Sequence, residues 1–346
     1  MTTATATALP PQTLYGADEH GLICAYLFLA DQPAQPIASA SDALPLLAAV
    51  PEGGFIWLHL NLSHAGALPW MQAHAGLSEA FFEALDDGSR STRIERDEDG
   101  LFAVINDLTF DFSFDASDVA MLWLGVRRQV VVSARRHPLR TIDRLRMAVK
   151  RGEPLNSSVA LLDHLMRDQA DELQRIVRRV TERLDDIEDA LLAGQHERHT
   201  AELGRLRRLT VRLQRLLAPE PSALQRTLAN PPRWVLPHDM DHLNRASEEF
   251  SLVLRDITTM QERIKLMQDE AAARVAEDNN RTLFMLTMVT VLALPINLIS
   301  GLFGMNVGGI PLNENKGGFW VVLAIIATLT VVLAVVTLLR LRTRRR

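Results

Sequence analysis

Residues 301–314 read GLFGMNVGGIPLNE, a run of glycines, amides and a proline set between two very apolar stretches. Backbone and amide oxygens are neutral acceptors, which suit a cation that keeps its water shell. Thr287, Thr290, Asn297 and Ser300 add polar side chains to the same uncharged run, which extends from Thr282 to Asn313. No carboxylate, histidine or cysteine lies in either apolar stretch, so nothing there strips and holds a metal. Hydrated divalent ions fit this chemistry.

Elsewhere the reactive residue types are sparse. His59 and His64 in HLNLSH lack a spaced set of partner ligands and read as ordinary strand-end histidines. His196 and His199 in QHERH sit three apart at a helix break and read as turn residues rather than a surface zinc site. Acidic residues outnumber basic ones between Asp163 and Glu197. They either draw cations or form a solvated face paired with the arginines that follow, and both readings stand. No glycine-rich phosphate loop, nucleophile elbow or paired catalytic carboxylates are present, so no enzymatic role is expected. The single cysteine, Cys24, excludes intrachain disulfides and cysteine-rich metal clusters.

The elements that must position these groups begin with the membrane. In a chain of 346 residues with 47% hydrophobic content, the apolar residues concentrate at the C-terminal end. The uncharged run after Arg281 and the one from Phe319 to Leu339 are each long enough to cross a hydrocarbon core of roughly 30 Å. The closing RLRTRRR favours a cytoplasmic C-terminus, and two spans return the N-terminal part to the same side. The opening MTTATATALPPQ has no basic segment followed by an apolar core, so no cleaved secretory signal is expected.

From Leu243 through Ala246, Phe250, Val253, Ile257, Met260, Ile264, Met267 and Ala271, apolar residues alternate spacings of three and four. No proline or glycine separates this seam from the first span, which predicts one helix from about His238 to Phe303, roughly 100 Å long. The stripe opposite the seam, carried into the span, reads Leu283, Leu286, Thr290, Ala293, Asn297 and Ser300, with Thr287 and Gly301 beside it. Lipid cannot satisfy the Asn297 amide, so this face should meet protein or water. Hydroxyls such as Thr290 can instead bond back to their own helix. Two spans cannot enclose an aqueous path, so conduction requires several copies. Gly304 permits a turn at the far membrane face, where Asn306 could present its amide oxygen to an axis.

Upstream, residues 1–154 mix short β-branched and aromatic runs such as GFIWLHLNLS with helical stretches, which predicts an α/β domain. Residues 155–236 are expected to hold a helical hairpin and a linker. Its first helix, capped by Asn156 or Ser157, carries Val159, Leu162, Met166, Leu173, Ile176, Val180, Leu184, Ile187 and Leu191. Its second carries Leu203, Leu206, Leu213 and Leu216. The prolines of APEP and ANPPRWVLP are expected to stop helix propagation repeatedly. The remaining divisions are 237–303 for the stalk and first span, 304–318 for an external loop, 319–339 for the second span and 340–346 for a basic tail.

The late GMN triplet, two C-terminal spans, large N-terminal α/β domain and basic tail resemble the CorA metal-ion transporters. The continuation GMNVGGIPLNENKGGFW is similar to the ZntB zinc-transporter branch, rather than the magnesium branch with its acidic MPEL-like loop. The fold expected is an α/β cytoplasmic funnel domain, a long helical stalk and two C-terminal transmembrane helices. The resemblance further implies a homopentamer whose first spans line the pore, with Gly304, Met305 and Asn306 at its periplasmic mouth. By register from that triplet it assigns Leu283, Leu286, Thr290, Leu294, Asn297 and Gly301 to the pore lining.

Zinc crossing the bacterial inner membrane, coupled to protons, is the implied activity; zinc is cargo, and no bound cofactor is expected. The partners are further copies of the chain, the lipid bilayer, divalent ions and protons, without nucleic acid. No histidine or cysteine follows His242, so resemblance rather than ligand chemistry selects zinc. A CorA-type magnesium or cobalt channel and a non-conducting membrane-anchored scaffold remain alternatives.

Overall fold

The computed structural model describes residues 16–30, 32–87, 92–97, 99–113, 118–193, 196–305 and 317–344, with backbone alone for 196–198 and 337–344. The chain divides into two compact units, Met1–Gln268 and Asp269–Arg346. The first contains a seven-stranded sheet of β1 (Leu22–Phe28), β2 (Gln35–Ile37), β3 (Phe55–Asn61), β4 (Arg93–Asp97), β5 (Gly100–Leu108), β6 (Val119–Val126) and β7 (Val130–Arg135). Their order is β2-β1-β3-β7-β6-β5-β4. Two antiparallel sets meet at the parallel pair β3 and β7, where Ile56 lies opposite Val130.

β3 is FIWLHLN and every residue of it is buried. A strand covered on both faces loses the apolar–polar alternation of a half-exposed one. Alternate side chains instead divide between two cores. Tyr26, Trp57, Ile105, Leu124 and Val131 join residues of α4 (Arg140–Lys150), α5 (Ser158–Leu192) and α7 (Pro219–Leu228). Ile56, Leu58, Val104, Trp123 and Val132 join residues of α1 (Ala40–Ala48), α2 (Ala67–His74) and α3 (Glu79–Asp86).

Ser157 caps α5, its side chain accepting from the amide of Ala160 at 2.9 Å, and all nine residues expected on the inner stripe of this helix are buried. α6 (His196–Leu217) packs against it, burying Leu203, Leu206, Leu209, Leu213 and Leu217, while Leu216 is half-buried. As expected, helices end at these prolines, α6 at Leu217 before Pro219 and α7 at Leu228 before Pro231 and Pro232, but Pro219 also begins a helix. Pro219 falls at the start of α7, where a missing N–H leaves no intrahelical bond unmade and the fixed φ suits the first turn.

α8 runs from Pro237 to Phe303 without interruption. Its seam from Leu243 to Met267 is buried, so residues 237–268 belong to the first unit rather than standing apart from it. The second unit comprises the rest of α8 and α9 (Gly318–Arg344). α8 and α9 are both long and apolar enough to cross a membrane.

Candidate functional site

At about 100° per residue, Leu283, Leu286, Thr290, Leu294, Asn297 and Gly301 fall on one face of α8. All six are exposed, with Leu283, Leu286 and Leu294 at 60%, 64% and 62% of their full accessibility. Met288, Leu292, Pro295, Ile296 and Ile299 occupy the opposite face and are half-buried. Ala293, which the heptad phase of the seam puts on the polar stripe, is half-buried too, whereas its neighbour Leu294 is open. α9 has a matching stripe of half-buried residues, Val322, Ile326, Thr330 and Leu333. Within one chain the six-residue face is therefore uncovered.

Its polar groups differ in what they need. The Thr290 hydroxyl donates to the Leu286 carbonyl at 3.0 Å and that of Thr287 to Leu283 at 2.8 Å, so both are satisfied by their own helix. The Asn297 amide has no such local solution. Among the described residues it takes no hydrogen-bond partner, and it is the group on this face that demands water or another chain. Pro295 is carried inside the helix on the half-buried side.

At the end of α8, the Gly304 amide donates to the Ser300 carbonyl at 2.9 Å. Its φ lies outside the left-handed region, so the turn does not use the backbone freedom expected of it. What glycine supplies is space: an added Cβ would stand 3.0 Å from the Ser300 oxygen. Met305 is exposed. Asn306 and the loop through 316 lie outside the described residues.

The first unit disposes of the other candidate ligands. His59 is not at a strand end but inside β3, fully buried with both ring nitrogens engaged. Arg135 Nε donates to His59 Nε2 at 3.0 Å, which makes that nitrogen the acceptor and assigns the proton to Nδ1, 2.8 Å from Ser133 Oγ. Burial, then the charges of Arg135 and Arg146, hold this imidazole well below its usual range and keep it neutral. Ser133 Oγ also accepts from Trp57 Nε1 at 2.8 Å and donates to the Leu58 carbonyl. His64 accepts from the Gly66 amide; His199 lies 3.9 Å from Glu202, and the His196 side chain is outside the described residues.

The acidic stretch of α5 finds cations on several elements. Glu172 meets Arg144 at 2.7 Å and Arg175 at 3.1 Å, Asp163 meets Arg167 at 3.1 Å, and Arg263 of α8 bridges Asp185 and Glu188. His164 stands between Asp168 and Glu153, each 3.2 Å away. The Asp168 hydrogen bond, opposed by burial, pushes this histidine up to about 9. Among the described residues no group of three or more His, Cys, Asp or Glu side chains is arranged to hold a metal.

Sequence reasoning passed over two buried acids, Asp107 and Glu220. The signals were an aspartate closing the apolar strand GLFAVIND and a glutamate between two prolines in PEP.

Comparison with known proteins bears on the whole architecture. A family model for the CorA-like Mg2+ transporter protein matches residues 52–342. The divalent cation transporter CmaX of Pseudomonas aeruginosa is 25% identical over 313 residues, covering 89% of this chain and 93% of that protein. The zinc transport protein ZntB of Yersinia enterocolitica is 24% identical over 263 residues, covering 76% and 80%. The solved structure of full-length CmaX superposes with a TM-score of 0.77 at 24% identity, over 91% of this chain and 97% of that one. That likeness establishes the shared fold.

Proposed function

Because the chain belongs to the CorA-like Mg2+ transporter family, a family of ion transporters rather than enzymes, we propose that it carries zinc across the bacterial inner membrane through a pore lined by α8. Divalent cation transport is the activity of the family, and the choice of zinc within it rests on the likeness to ZntB at 24% identity. The observation that carries the pore is the uncovered face of Leu283, Leu286, Thr290, Leu294, Asn297 and Gly301 opposite the half-buried stripe. One chain cannot close a water-filled path with two helices, so copies must assemble with these faces inward; five copies is the number we adopt. The termini lie on the cytoplasmic side, and proton coupling accompanies zinc movement.

No charged group lines the path between Arg281 and Asn306. A cation passing it is therefore stabilised by its own waters, by the Asn297 amide and by the Gly304-Met305-Asn306 end, with Asn306 as the outer ring of acceptors. Leucines between those points set width rather than affinity. Magnesium is the competing cargo, favoured by the description of the matching family and by the absence of soft ligands on the face.

Full-length protein in liposomes loaded with a zinc-sensitive dye, with and without a pH gradient, tests the reading. Zinc entry that responds to the gradient is expected. Magnesium entry without zinc entry would transfer the assignment to magnesium, and flux of no divalent cation would end the transport reading.

A further inference from the structure

Beside the carboxyl end of β7 the first unit holds a cavity of about 550 Å³, a volume in the range of small-molecule sites. It lies wholly in that unit and is no part of the path read along α8. Among the described residues its walls come from the ends of several elements: Met121 and Trp123 of β6, Arg136 and His137 just beyond β7, Leu85 and Asp86 closing α3, and Leu216 of α6.

Two of the polar groups lining it are spent. Asn106 Nδ2 donates to Thr92 Oγ1 at 3.0 Å and to the Leu216 carbonyl at 3.3 Å, and the Thr109 hydroxyl donates to the Asp118 carbonyl at 3.5 Å. Arg136 is not spent. It is exposed, and among the described residues no carboxylate stands within ion-pair distance of it. Its guanidinium lies over the Trp123 ring, 5.9 Å from the centroid, and a contact with the face of a ring takes up none of its N–H donors. Trp123 is 2% exposed and its Nε1 is buried without an acceptor. A buried indole N–H ordinarily has one, as Trp57 has in Ser133 Oγ at 2.8 Å. A cation held against an aromatic wall that itself carries an unspent donor suits a negatively charged acceptor.

The rest of the lining sets the kind of anion. With Asp86 in the same cavity, Arg136 offsets one negative charge rather than two, which favours a carboxylate over a phosphate dianion. The volume is far more than a bare inorganic ion fills, and Leu85, Met121 and Leu216 offer apolar surface to the remainder of a larger molecule. We propose that this cavity binds a small carboxylic acid with an aromatic or branched apolar body, its carboxylate accepting from Arg136 and from Trp123 Nε1 and its body seated against Leu85, Met121 and Leu216. Because these walls belong to different elements, such a ligand ties α3 and α6 to the ends of β6 and β7.

Equilibrium dialysis of the full chain in a neutral detergent against radiolabelled benzoate tests this, with benzylammonium and inorganic phosphate in parallel. Benzoate should be retained saturably and in preference to both other probes. Arg136→Gln, at an exposed position, should weaken retention by at least about tenfold. Trp123→Phe keeps the ring and removes the N–H, and should weaken it by about threefold or more. Arg128→Gln, exposed and outside the lining, should leave it unchanged. Should Trp123→Phe not fold, Met121→Trp puts bulk into the cavity and should exclude benzoate. Benzoate uptake that does not saturate, equal retention of benzylammonium, phosphate retained in its place, or binding unchanged by Arg136→Gln, Trp123→Phe or Met121→Trp would overturn the proposal.

Discussion

The sheet-bearing unit and the span-bearing unit solve opposite problems with the same residue types. In the first, Trp57, Leu58 and Leu60 are fully enclosed and the polar groups among them, His59 and Ser133, are bonded to each other. In the second, Phe319 and Trp320 are 71% and 68% exposed, and Leu283, Leu286, Leu294 and Leu298 of α8 stand open. Enclosed apolar surface stabilises by leaving water, at roughly 25 cal/mol per Å². Open apolar surface contributes nothing until lipid or another copy covers it. The first unit is thus complete within one chain, and the second is a component awaiting its surroundings.

Substitutions in the two units should accordingly separate stability from transport. The largest effect belongs to Trp57→Ala, which empties a fully buried site and removes a donor to Ser133; a loss of about 3–5 kcal/mol is expected in chemical denaturation of the full chain. Next, Asn297→Leu and Asn306→Ala should each lower zinc flux by about tenfold, about 1.4 kcal/mol in barrier, with the oligomer intact by light scattering. Wild-type flux in both would dissolve the functional half of the contrast.

His164→Gln should flatten the pH dependence of melting on the alkaline side. The folded imidazole is raised to about 9 from 6.5, so its stabilisation is full below 6.5 and is lost as pH rises through about 9. A melting curve with the same alkaline decline in wild type and variant would remove the Asp168–His164–Glu153 bridge from the account. Arg263→Ala, which breaks an exposed bridge to Asp185 and Glu188, should cost about 0.2–1 kcal/mol and less in high salt. The smallest effect is reserved for Leu294→Ala. An exposed leucine leaves no cavity, and the change in unfolding free energy should stay within about 0.5 kcal/mol.

Periodic features were the readable ones. The seam from Leu243 to Met267 and the inner stripe of α5 follow from spacing, because a helix repeats its environment every three or four residues. The phase of the seam, carried past Arg281, puts Leu283, Leu286, Thr290 and Asn297 on one exposed face but selects the half-buried Ala293 where its neighbour Leu294 is exposed. The prolines were legible as the stops after α6 and α7 but not as the start of α7, because the effect of proline depends on whether it opens a turn or interrupts one. His59 was misjudged because a strand covered on both faces gives no alternation by which to tell middle from end. The convergence of Glu220 and Gln169 on Asn106 was illegible in principle. It joins residues from α7, α5 and β5 that approach only when the sheet and both helices are assembled.

The parallel junction of β3 and β7 carries a consequence for how the molecule is made. Ile56 must find Val130, and in the intervening chain lie two helices and three other strands. During synthesis β2, β1 and β3 can pair as soon as they emerge, yet the β3 edge then stays bare until β7 leaves the ribosome. A bare, largely apolar edge is a template for strangers. Slowing translation between residues 61 and 130 should therefore raise aggregation of the nascent chain more than a pause placed after Arg135, when the edge has been closed.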